Sequence, residues 1–533
     1  MANGHTVIPF FEGNMRKLWK TIFSRYFISA VLILAELALL FYLLFFAYGY
    51  SVYALILIAA VNVAAVISLI NRDANPEYKV SWLVIVMLTP PFGMALYILF
   101  YSRRVSKKKA RIMREIQDSL TVFEKGERGV LEMEDEEFSR LKEKSASAAG
   151  KAFAILNDDR LSEVYSGSAS KFFSDGEKMY ESMLLDIASA EKYIFLEYFI
   201  IAEGEMWNEI YALLLKKAEC GVEVRVIYDD IGCMKTLPLY YDKMLNSRGI
   251  KCMRFSPVTP RLSTAHNNRD HRKILIVDGR CAYTGGMNVA DEYINRKNRF
   301  GHWKDGGIRI EGAAVKGFLK LFLSTWNFTA AKLSDSQKYF AAITVSEFSD
   351  GGFYIPFGSG PSPIYKRPVC KNALLNLINQ AERYLYITTP YLIIDYDLTE
   401  SLRNASLRGV DVRIITPGVA DKKLVKVMTK SSYPYLMEVG VKIYEYYPGF
   451  IHEKSVVCDD LYALVGTVNL DYRSLAHHYE DAVWIYSSPT VLKVREEFEK
   501  TLSDSHEKEI NSARLGPFEW CVRNLMRIFA PLL

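Results

Sequence analysis

The sequence His271-Arg-Lys-Ile-Leu-Ile-Val-Asp278 decides the fold of this chain, because it returns further along as His452-Glu-Lys-Ser-Val-Val-Cys-Asp459. A glycine and an asparagine follow each copy, in Gly285-Gly-Met-Asn288 and in Gly466-Thr-Val-Asn469. In both copies Lys lies two residues after His, Asp seven after it and Asn seventeen after it. Four matched polar positions and a matched glycine indicate an internal duplication rather than a coincidence.

Each copy of the motif predicts a strand with its histidine and lysine side chains on one face. Positions two apart on a strand point the same way, so His271 and Lys273 are predicted to share a pocket, as are His452 and Lys454. The apolar residues that follow are typical of a strand buried on both faces. A single histidine in such a strand is more simply a core residue, but the repeated constellation favours a phosphoryl site. The histidines can act as nucleophile and general acid, while Lys273, Lys454, Asn288 and Asn469 stabilise charge on phosphate oxygens without a metal.

The composition limits the class of protein. The chain has 533 residues, 50% of them hydrophobic, with a formal net charge of +5. Its seven cysteines form no C-x-x-C pair, and an odd number argues against a disulfide framework. No group of His, Cys and Asp has the spacing of metal ligands, so we expect neither a metal nor a cofactor.

The N-terminal part, residues 1–102, is predicted to be a membrane segment. Residues 26–48 and 52–70 are almost entirely apolar, long enough to cross a bilayer, and joined by an uncharged turn, which predicts a helical hairpin over 26–70. The apolar stretch is too long for a signal peptide.

A third hydrophobic segment, 80–101, carries Pro90-Pro91 at its centre and precedes seven basic residues between 103 and 114. Three full spans would place the two basic flanks of the segment on opposite sides of the membrane, whereas the positive-inside tendency places both in the cytoplasm. A re-entrant segment bent at the prolines resolves the conflict, and a kinked third span is the alternative.

The rest of the chain is predicted to consist of a charged connector, 103–155, and two halves, 156–345 and 346–533, the second with an amphipathic C-terminal tail. Each half follows the order strand, helix, strand, helix, strand and motif hairpin, which is typical of an α/β sandwich with a mixed sheet. Because neither half holds a full catalytic set, the two motifs are predicted to meet about a pseudo-twofold axis. The glycine-rich stretch 351–363 is predicted to join the halves, and the tail either packs on the core or lies in a membrane interface.

These residues resemble the phospholipase D superfamily through both H-x-K-x4-D motifs and their trailing Gly-x-Asn elements. The resemblance extends to the bacterial cardiolipin synthases through 444–452, Thr389-Pro-Tyr391, 469–474 and the N-terminal Trp82…Pro91-Phe-Gly93…Tyr97 pattern. It covers the chain from about residue 75 to the end. It implies a multi-pass protein of the bacterial cytoplasmic membrane, with a cytoplasmic catalytic part that acts on phosphatidylglycerol among anionic lipids and binds no nucleic acid.

The resemblance also implies a reaction and its residues. Two phosphatidylglycerols are joined into cardiolipin with release of glycerol, through a phosphatidyl-histidine on His271, with His452 as the acid and base. The matching carboxylates are Asp305 for His271 and Glu480 for His452, whereas Asp278 and Asp459 orient the motifs and bond across the interface of the halves. Tyr198 and Tyr391 either line the pocket or belong to the core.

Two positions depart from the family pattern. His478 stands where the family usually has Asn, and Gly306-Gly307 stands where it usually has Thr-His. The competing functions are a hydrolase that uses water as acceptor, a phosphatidylserine synthase, and a membrane scaffold with an inactive site. Complete motifs in both halves argue against the scaffold.

Overall fold

The structure of the protein is a computed structural model, which describes residues 52–72, 75–89, 105–121, 136–258, 267–334, 336–343, 349–510 and 516–532, with a few positions between 31 and 97. The chain forms two compact units, Met1–Ser102 with Pro257–His266, and Arg103–Ser256 with Asn267–Leu533. Both repeats of the motif lie in the second unit.

The described part of the N-terminal unit contains helices α1, Val52–Ile70, and α2, Pro76–Leu88. The Asn75 side chain accepts a hydrogen bond from the N–H of Glu77 at 2.9 Å and caps α2, and Pro76 occupies its first position. Within the residues that the structure describes, no helix combines the length and apolarity that a bilayer crossing needs. Most of the first predicted span, 26–48, lies outside the described residues.

The predicted third segment, 80–101, is not one straight helix. The rings of Trp82 and Tyr97 lie 5.7 Å apart, edge to face. Fifteen residues of straight helix would separate them by about 22 Å, so the chain turns back on itself between the two rings. Pro90 and Pro91, where the sequence predicts the break, lie between the two rings and outside the described residues.

The remaining helices surround the sheets of the second unit. They are α3 Lys107–Thr121, α4 Glu136–Lys144, α5 Ala146–Asp158, α6 Gly176–Ser189, α7 Glu205–Glu219, α8 Tyr241–Ser247, α9 Val315–Ala330, α10 Gln337–Phe340, α11 Val369–Asn379, α12 Tyr396–Leu407, α13 Lys423–Ser431, α14 Tyr433–Met437, α15 Tyr472–Ala476, α16 Pro489–Ser503 and α17 Pro517–Phe529.

The first half is built on a mixed seven-stranded sheet. Its region contains β1 Ser168–Phe173, β2 Tyr193–Tyr198, β3 Glu223–Asp229, β4 Lys251–Phe255, β5 Lys273–Val277, β6 Cys281–Gly285, β7 His302–Lys304 and β8 Gly307–Gly312. The order in the sheet is β1-β8-β6-β5-β2-β3-β4, in which β2, β3 and β4 are parallel and the other neighbours antiparallel. The motif strand β5 is therefore central, and its five residues are all buried.

The second half repeats this plan in an eight-stranded sheet. Its region contains β9 Phe353–Ser359, β10 Tyr384–Thr388, β11 Leu392–Ile393, β12 Asp411–Pro417, β13 Lys442–Tyr446, β14 Gly449–Ile451, β15 Ser455–Cys458, β16 Tyr462–Gly466, β17 Leu470–Asp471, β18 Glu480–Tyr486 and β19 Ser505–Glu507. The order is β19-β13-β12-β10-β15-β16-β18-β9, so β15 takes the place that β5 has in the first sheet. Two such sheets confirm the predicted pair of α/β halves.

Two connecting regions contain structure that the sequence did not indicate. Within the stretch 351–363, β9 forms a buried edge of the second sheet and so belongs to the second half. The charged region after residue 103 is not only a connector, since α3 buries Ala110, Met113, Ile116 and Leu120 in a core shared by both halves. Its basic residues occupy the opposite, exposed face of an amphipathic helix.

The C-terminal helix α17 contacts α13 and so packs against the second half. It leaves large apolar side chains in solvent, with Phe518 80%, Trp520 52% and Leu525 59% exposed. Packing on the second half therefore covers only part of the amphipathic tail.

Candidate active site

The two motif strands place their histidines and lysines in one buried site. His271 and Lys273 are 6% and 2% exposed, and His452 and Lys454 are 7% and 4% exposed. Lys273 Nζ donates to the carbonyl of His271 at 2.6 Å, and Lys454 Nζ makes the same contact with His452. The alternation of a strand explains why each lysine folds back along its own histidine.

The side chain of Arg272, between His271 and Lys273 in the chain, points to the opposite face from these two residues. Its guanidinium is fully buried away from the histidines and donates to the hydroxyls of Thr325, at 3.0 Å, and Tyr365, at 3.1 Å. The guanidinium also bonds the carbonyl of Glu480 at 3.2 Å, which ties the motif strand of one half to β18 of the other.

Asp278 and Asp459 hold the turns of the motif hairpins. The carboxylate of Asp278 accepts hydrogen bonds of 2.7 Å from the N–H groups of residues 191–193, at the start of β2. Asp459 accepts bonds of 2.8–3.1 Å from residues 382–384, at the start of β10. Both residues have positive φ, 55° and 58°, which aspartate tolerates better than most residues.

The position of these aspartates corrects one expectation. Each bonds within its own half, not across the interface, because the chain turns at Asp278 and Asp459 beside the start of the neighbouring antiparallel strand of the same sheet. Each also lies one strand length from its histidine, since β5 and β15 separate them. This placement supports an orienting role.

The carboxylates beside the histidines are paired in the opposite way from our expectation. His271 Nδ1 lies 2.9 Å from Glu480 Oε2, and His452 Nδ1 lies 2.7 Å from Asp305 Oδ2. Glu480 and Asp305 are both completely buried. Each half therefore supplies the carboxylate that holds the histidine of the other half.

The crossing follows from short strand pairs between the halves. Strand β7 runs parallel to β14, and the N–H of His452 donates to the carbonyl of Lys304 at 2.7 Å. At the equivalent place Asp270 and Tyr479 form a parallel bridge, and the N–H of His271 donates to the carbonyl of Tyr479 at 2.8 Å. Because each histidine pairs with the residue before the opposite carboxylate, that carboxylate reaches its ring.

A glycine and a threonine at matched positions make the two sites unequal. A Cβ at Gly286 would lie 2.1 Å from Asp305 Oδ1 and 2.6 Å from the carbonyl of His452, so only glycine fits there. The matching residue in the second repeat is Thr467, whose hydroxyl donates to Glu480 Oε2, the oxygen that also faces His271. Glu480 thus receives a side-chain donor that Asp305 lacks.

The two asparagines differ as well. Asn288 Oδ1 accepts from the N–H of Ile200 at 3.0 Å, and its amide donates to the hydroxyl of Tyr293 at 2.7 Å. Asn469 Oδ1 is buried without a hydrogen-bond partner among the described residues. Both ends of the Asn288 amide are thus engaged by the scaffold, while Asn469 Oδ1 is left able to accept a hydrogen bond from a ligand or a ligand-bound hydroxyl.

Burial and charge set different protonation states for the two histidine–carboxylate pairs. Burial lowers the pKa of His271 to about 3. Burial alone would raise the pKa of Glu480, but the imidazoles of His271 and His478 outweigh it and hold that pKa below its ordinary value. At neutral pH His271 is therefore neutral and Glu480 ionised, so Nδ1 keeps its proton toward the carboxylate and Nε2 carries the lone pair.

The second pair holds its proton differently. Burial raises the pKa of Asp305 to about 7, although Lys454 opposes the shift. Burial also lowers the pKa of His452 well below its ordinary value, and lowers the pKa of Lys273 to about 8 and of Lys454 to about 7. Burial thus brings the pKa of the carboxyl beside His452 close to neutral pH, whereas the pKa of the carboxyl beside His271 stays below its ordinary value.

The departures from the family pattern both lie at the site. The N–H of Gly306 donates to Asp305 Oδ1 at 2.9 Å, and a Cβ at Gly306 would lie 1.9 Å from the carbonyl of Phe173, so a larger residue does not fit. The ring of His478 lies 5.4 Å from that of His271, between centroids, and its Nδ1 lies 3.6 Å from Glu480 Oε1.

One group of side chains has the geometry of metal ligands, although the sequence shows no ligand spacing. His271, His478 and Glu480 present ligand atoms within 4.8 Å of one another. The spacing of ligands along the sequence could not show this cluster, because its first member comes from one half and the others from the second half.

Aromatic side chains that we did not predict also line the histidines. The ring of Phe199 meets His271 edge to face at 5.1 Å, and Tyr293 meets His452 in the same way at 5.6 Å. Tyr198 is a buried core residue, while the hydroxyl of Tyr391 donates to Asp421 at 2.7 Å. Phe199 directly follows Tyr198, so the alternation of β2 was the signal that could have identified it.

Comparison with known proteins places this site in a family. The family described as cardiolipin synthase, PLD-like domain, matches residues 183–299 and 374–502, and the family described as Phospholipase_D-nuclease N-terminal matches residues 60–100. A crystal structure of phosphatidylserine synthase from Haemophilus influenzae has the same fold, with a TM-score of 0.54 and 16% identity over 71% of this chain and 96% of that one.

Curated relatives match almost the whole chain. An uncharacterised protein of Streptococcus mutans is 37% identical over 88% of this chain and 100% of its own length. A cardiolipin synthase of Geobacillus sp. is 32% identical over 90% of this chain and 93% of its own length. With both H-x-K-x4-D motifs brought together in one site, this chain belongs to the bacterial cardiolipin synthase family of the phospholipase D superfamily.

Proposed function

We propose that this protein is a cardiolipin synthase, a phosphatidyltransferase that joins two phosphatidylglycerols and releases glycerol. The observation that carries the proposal is a buried histidine in each motif, each with Nδ1 beside a buried carboxylate of the other half, and the charge of Lys273 acting on both His452 and Lys454. Such a pair can form and resolve a covalent phosphoryl intermediate, because one ring attacks while the other moves the proton.

We assign the nucleophile to His271. Its Nε2 attacks the phosphorus of the first lipid and the bond from phosphorus to the glycerol oxygen breaks. His452 gives that oxygen the proton of its Nε2 while its Nδ1 takes the proton of the Asp305 carboxyl, which lies 2.7 Å away. The hydroxyl of a second phosphatidylglycerol then loses its proton to His452 and attacks the phosphorus, and the phosphorus–nitrogen bond breaks. Ionised Glu480 with its Thr467 donor suits a ring that turns positive during attack. A carboxyl with a pKa of about 7, Asp305, suits the ring that exchanges protons.

The two lysines and Asn469 are proposed to bind the phosphate. They supply ammonium groups and an amide, which can stabilise negative charge on the equatorial oxygens. Asn288 is proposed to act indirectly, through Tyr293 against His452.

Product analysis tests the function. Purified protein in mixed micelles with labelled phosphatidylglycerol is expected to produce cardiolipin and glycerol, because a dense lipid surface places an alcohol rather than water at the intermediate. Added glycerol is expected to convert cardiolipin back to phosphatidylglycerol. Phosphatidic acid as the main product at high lipid density would establish a hydrolase, and cardiolipin that forms only with another donor lipid would change the substrate class.

The pH dependence of kcat/KM is a second expectation. An ammonium group is present below its pKa and lost as the pH rises through it, and burial lowers the pKa values of Lys454 and Lys273 to about 7 and about 8. We expect kcat/KM for phosphatidylglycerol to fall by about tenfold per pH unit above about pH 7 if the phosphate needs the Lys454 ammonium, and more steeply above about pH 8 if it also needs Lys273. A value that stays constant across the alkaline range would show that the lysines keep their protons or do not bind phosphate.

We also propose that the N-terminal unit anchors the protein in the bacterial cytoplasmic membrane and that the catalytic unit is cytoplasmic. Two observations support this topology. The stretches 26–48 and 52–70 are apolar, and basic residues lie both before the first stretch and after the third segment, which turns back on itself. A basic face on α3 next to the membrane would also attract anionic lipid, at about 1 kcal/mol per charge near the surface.

Labelling in intact cells tests the topology. Cysteines are introduced at Ala2 and at Lys108, which is exposed on α3, in a background where the exposed Cys220 and Cys521 are serine. Both positions are expected to resist a reagent that does not cross the membrane and to react after lysis. Reaction of only one of them in intact cells would place the two positions on opposite sides.

A further inference from the structure

We propose that His271, His478 and Glu480 form a site for a divalent transition metal such as Zn²⁺ or Co²⁺, and that the bound metal blocks the reaction reversibly. The three residues are buried and present ligand atoms within 4.8 Å of one another. Two imidazoles and a carboxylate are ligands that Zn²⁺ commonly takes in proteins. The proposal adds an inhibitory ligand to a reaction that we expect to need no metal.

The distances fit a small ion. Zinc bonds of about 2.0–2.1 Å in a tetrahedral site place ligand atoms about 3.3 Å apart. In the structure His271 Nδ1 lies 2.9 Å from Glu480 Oε2, and His478 Nδ1 lies 3.6 Å from Glu480 Oε1, so the observed separations lie on either side of that value. These two distances end on different oxygens of Glu480, and all three ligand atoms lie within 4.8 Å of one another, so the side chains must move closer together to share one ion.

The second observation is a pair of unsatisfied polar atoms. His478 Nδ1 and Glu480 Oε1 are buried and have no hydrogen-bond partner among the described residues. The gap of 3.6 Å between them is too long for a hydrogen bond, and leaving such groups unpaired is costly. A cation between them would satisfy both atoms at once.

The residues around the site determine how far its imidazoles can move and how tightly it binds a cation. Phe199 packs against the rings of both His271 and His478, at 5.1 Å and 6.5 Å between centroids, and so limits the movement of the two imidazoles. Lys273 lies beside His271 and disfavours any cation, which argues for moderate affinity and reversible binding. A metal on His271 Nδ1 would take Glu480 from the ring and move the proton of that nitrogen to Nε2, so the ring would lose the lone pair with which it attacks phosphorus.

Metal binding can be measured without turnover. Full-length protein in detergent, freed of metal, is titrated with Co²⁺, and we expect visible d–d absorption bands that saturate at one ion per chain and disappear when Zn²⁺ is added. His478→Asn, which keeps a polar side chain, is expected to weaken Co²⁺ binding at least tenfold. His506→Asn, at an exposed histidine of β19, is the matched control and should leave the titration unchanged. Binding that is absent in the natural sequence, or equal with and without His478, would overturn the proposal.

A measurement on the natural sequence covers the case in which His478→Asn does not fold. Diethyl pyrocarbonate modifies accessible imidazoles, and mass spectrometry locates the modified residues. We expect Zn²⁺ to protect His271 and His478 while His302 and His506 continue to react. Equal modification of His271 and His478 with and without Zn²⁺ would refute the site.

Inhibition is tested last, and its failure can be told apart from failure of the proposed function. Zn²⁺ is expected to stop cardiolipin formation, and a chelator is expected to restore it fully. Stoichiometric metal binding in a protein that makes no cardiolipin under any condition would overturn the proposed function and leave the metal site standing. Full activity with the site saturated by Zn²⁺ would overturn the inhibitory role.

Discussion

His271→Ala and His452→Ala are each expected to abolish cardiolipin formation, with a loss of at least about 10⁴-fold in kcat. The two rings perform different steps on the same phosphorus, so neither motif can act alone. A loss of this size corresponds to about 5.5 kcal/mol of transition-state stabilisation. The alternative in which one complete motif suffices would leave one of the two variants active.

The two variants should fail at different steps. With labelled phosphatidylglycerol and rapid denaturation, His452→Ala is expected to trap a small amount of phosphatidyl-protein, because His271 can still attack slowly. His271→Ala should trap none. Peptide mapping of the label should place it on His271.

His506→Ala is the control, since it removes an exposed histidine of the second half far along the sequence from either motif. It should keep full activity and the same trapped adduct. Label found on His452, or activity above about one per cent in His271→Ala, would reverse or reject the assignment of the nucleophile.

Much of this site could be predicted from the sequence because it is repeated. The two motifs fix the central strands β5 and β15, and the alternation of a strand fixes which residues face the site. The apolar residues between Lys273 and Asp278 also predict burial on both faces, which the structure confirms.

The partners of the histidines could not be predicted in the same way. Which carboxylate reaches which ring depends on how β7 lies beside β14 and how Asp270 lies beside Tyr479, and both are contacts between halves. Local patterns carry no information about such contacts. The cluster of His271 with His478 could not be predicted for the same reason, although the sequence does show that His478 departs from the family pattern.

Differences between the repeats were also visible but not interpreted. Gly286 and Thr467 occupy the same position in the two motifs, and only the structure shows that this position touches the carboxylate of its own half, which in turn holds the histidine of the other half. The difference between the surroundings of the two carboxylates therefore arises from a difference in sequence. Its meaning is clear only once it is known which carboxylate holds which histidine.

Glu480→Gln is expected to impair the step that His271 performs, and Asp305→Asn the steps that His452 performs. Each variant should lose about 10²–10⁴-fold in activity. An amide can donate to Nδ1, which favours the tautomer with its proton on Nε2 and removes the lone pair that the reaction needs. The crossed contacts therefore predict that Glu480→Gln suppresses formation of the phosphatidyl-protein. Asp305→Asn should instead allow some adduct to form and slow the proton transfers that release glycerol and admit the second lipid.

Imidazole ¹⁵N resonances give a direct measurement of the crossing. The histidines are labelled with ¹⁵N, and the variants His271→Asn and His452→Asn assign the signals of the two rings. Glu480→Gln should then shift the nitrogen resonances of His271 and leave those of His452 nearly unchanged. Asp305→Asn should do the reverse. Glu453→Gln is the matched control, because Glu453 is a buried acid next to His452 in the chain whose carboxylate accepts from the hydroxyl of Ser455 at 2.6 Å. A shift of His452 in Glu480→Gln, with His271 unaffected, would mean that each half holds its own histidine and that the crossed arrangement is wrong.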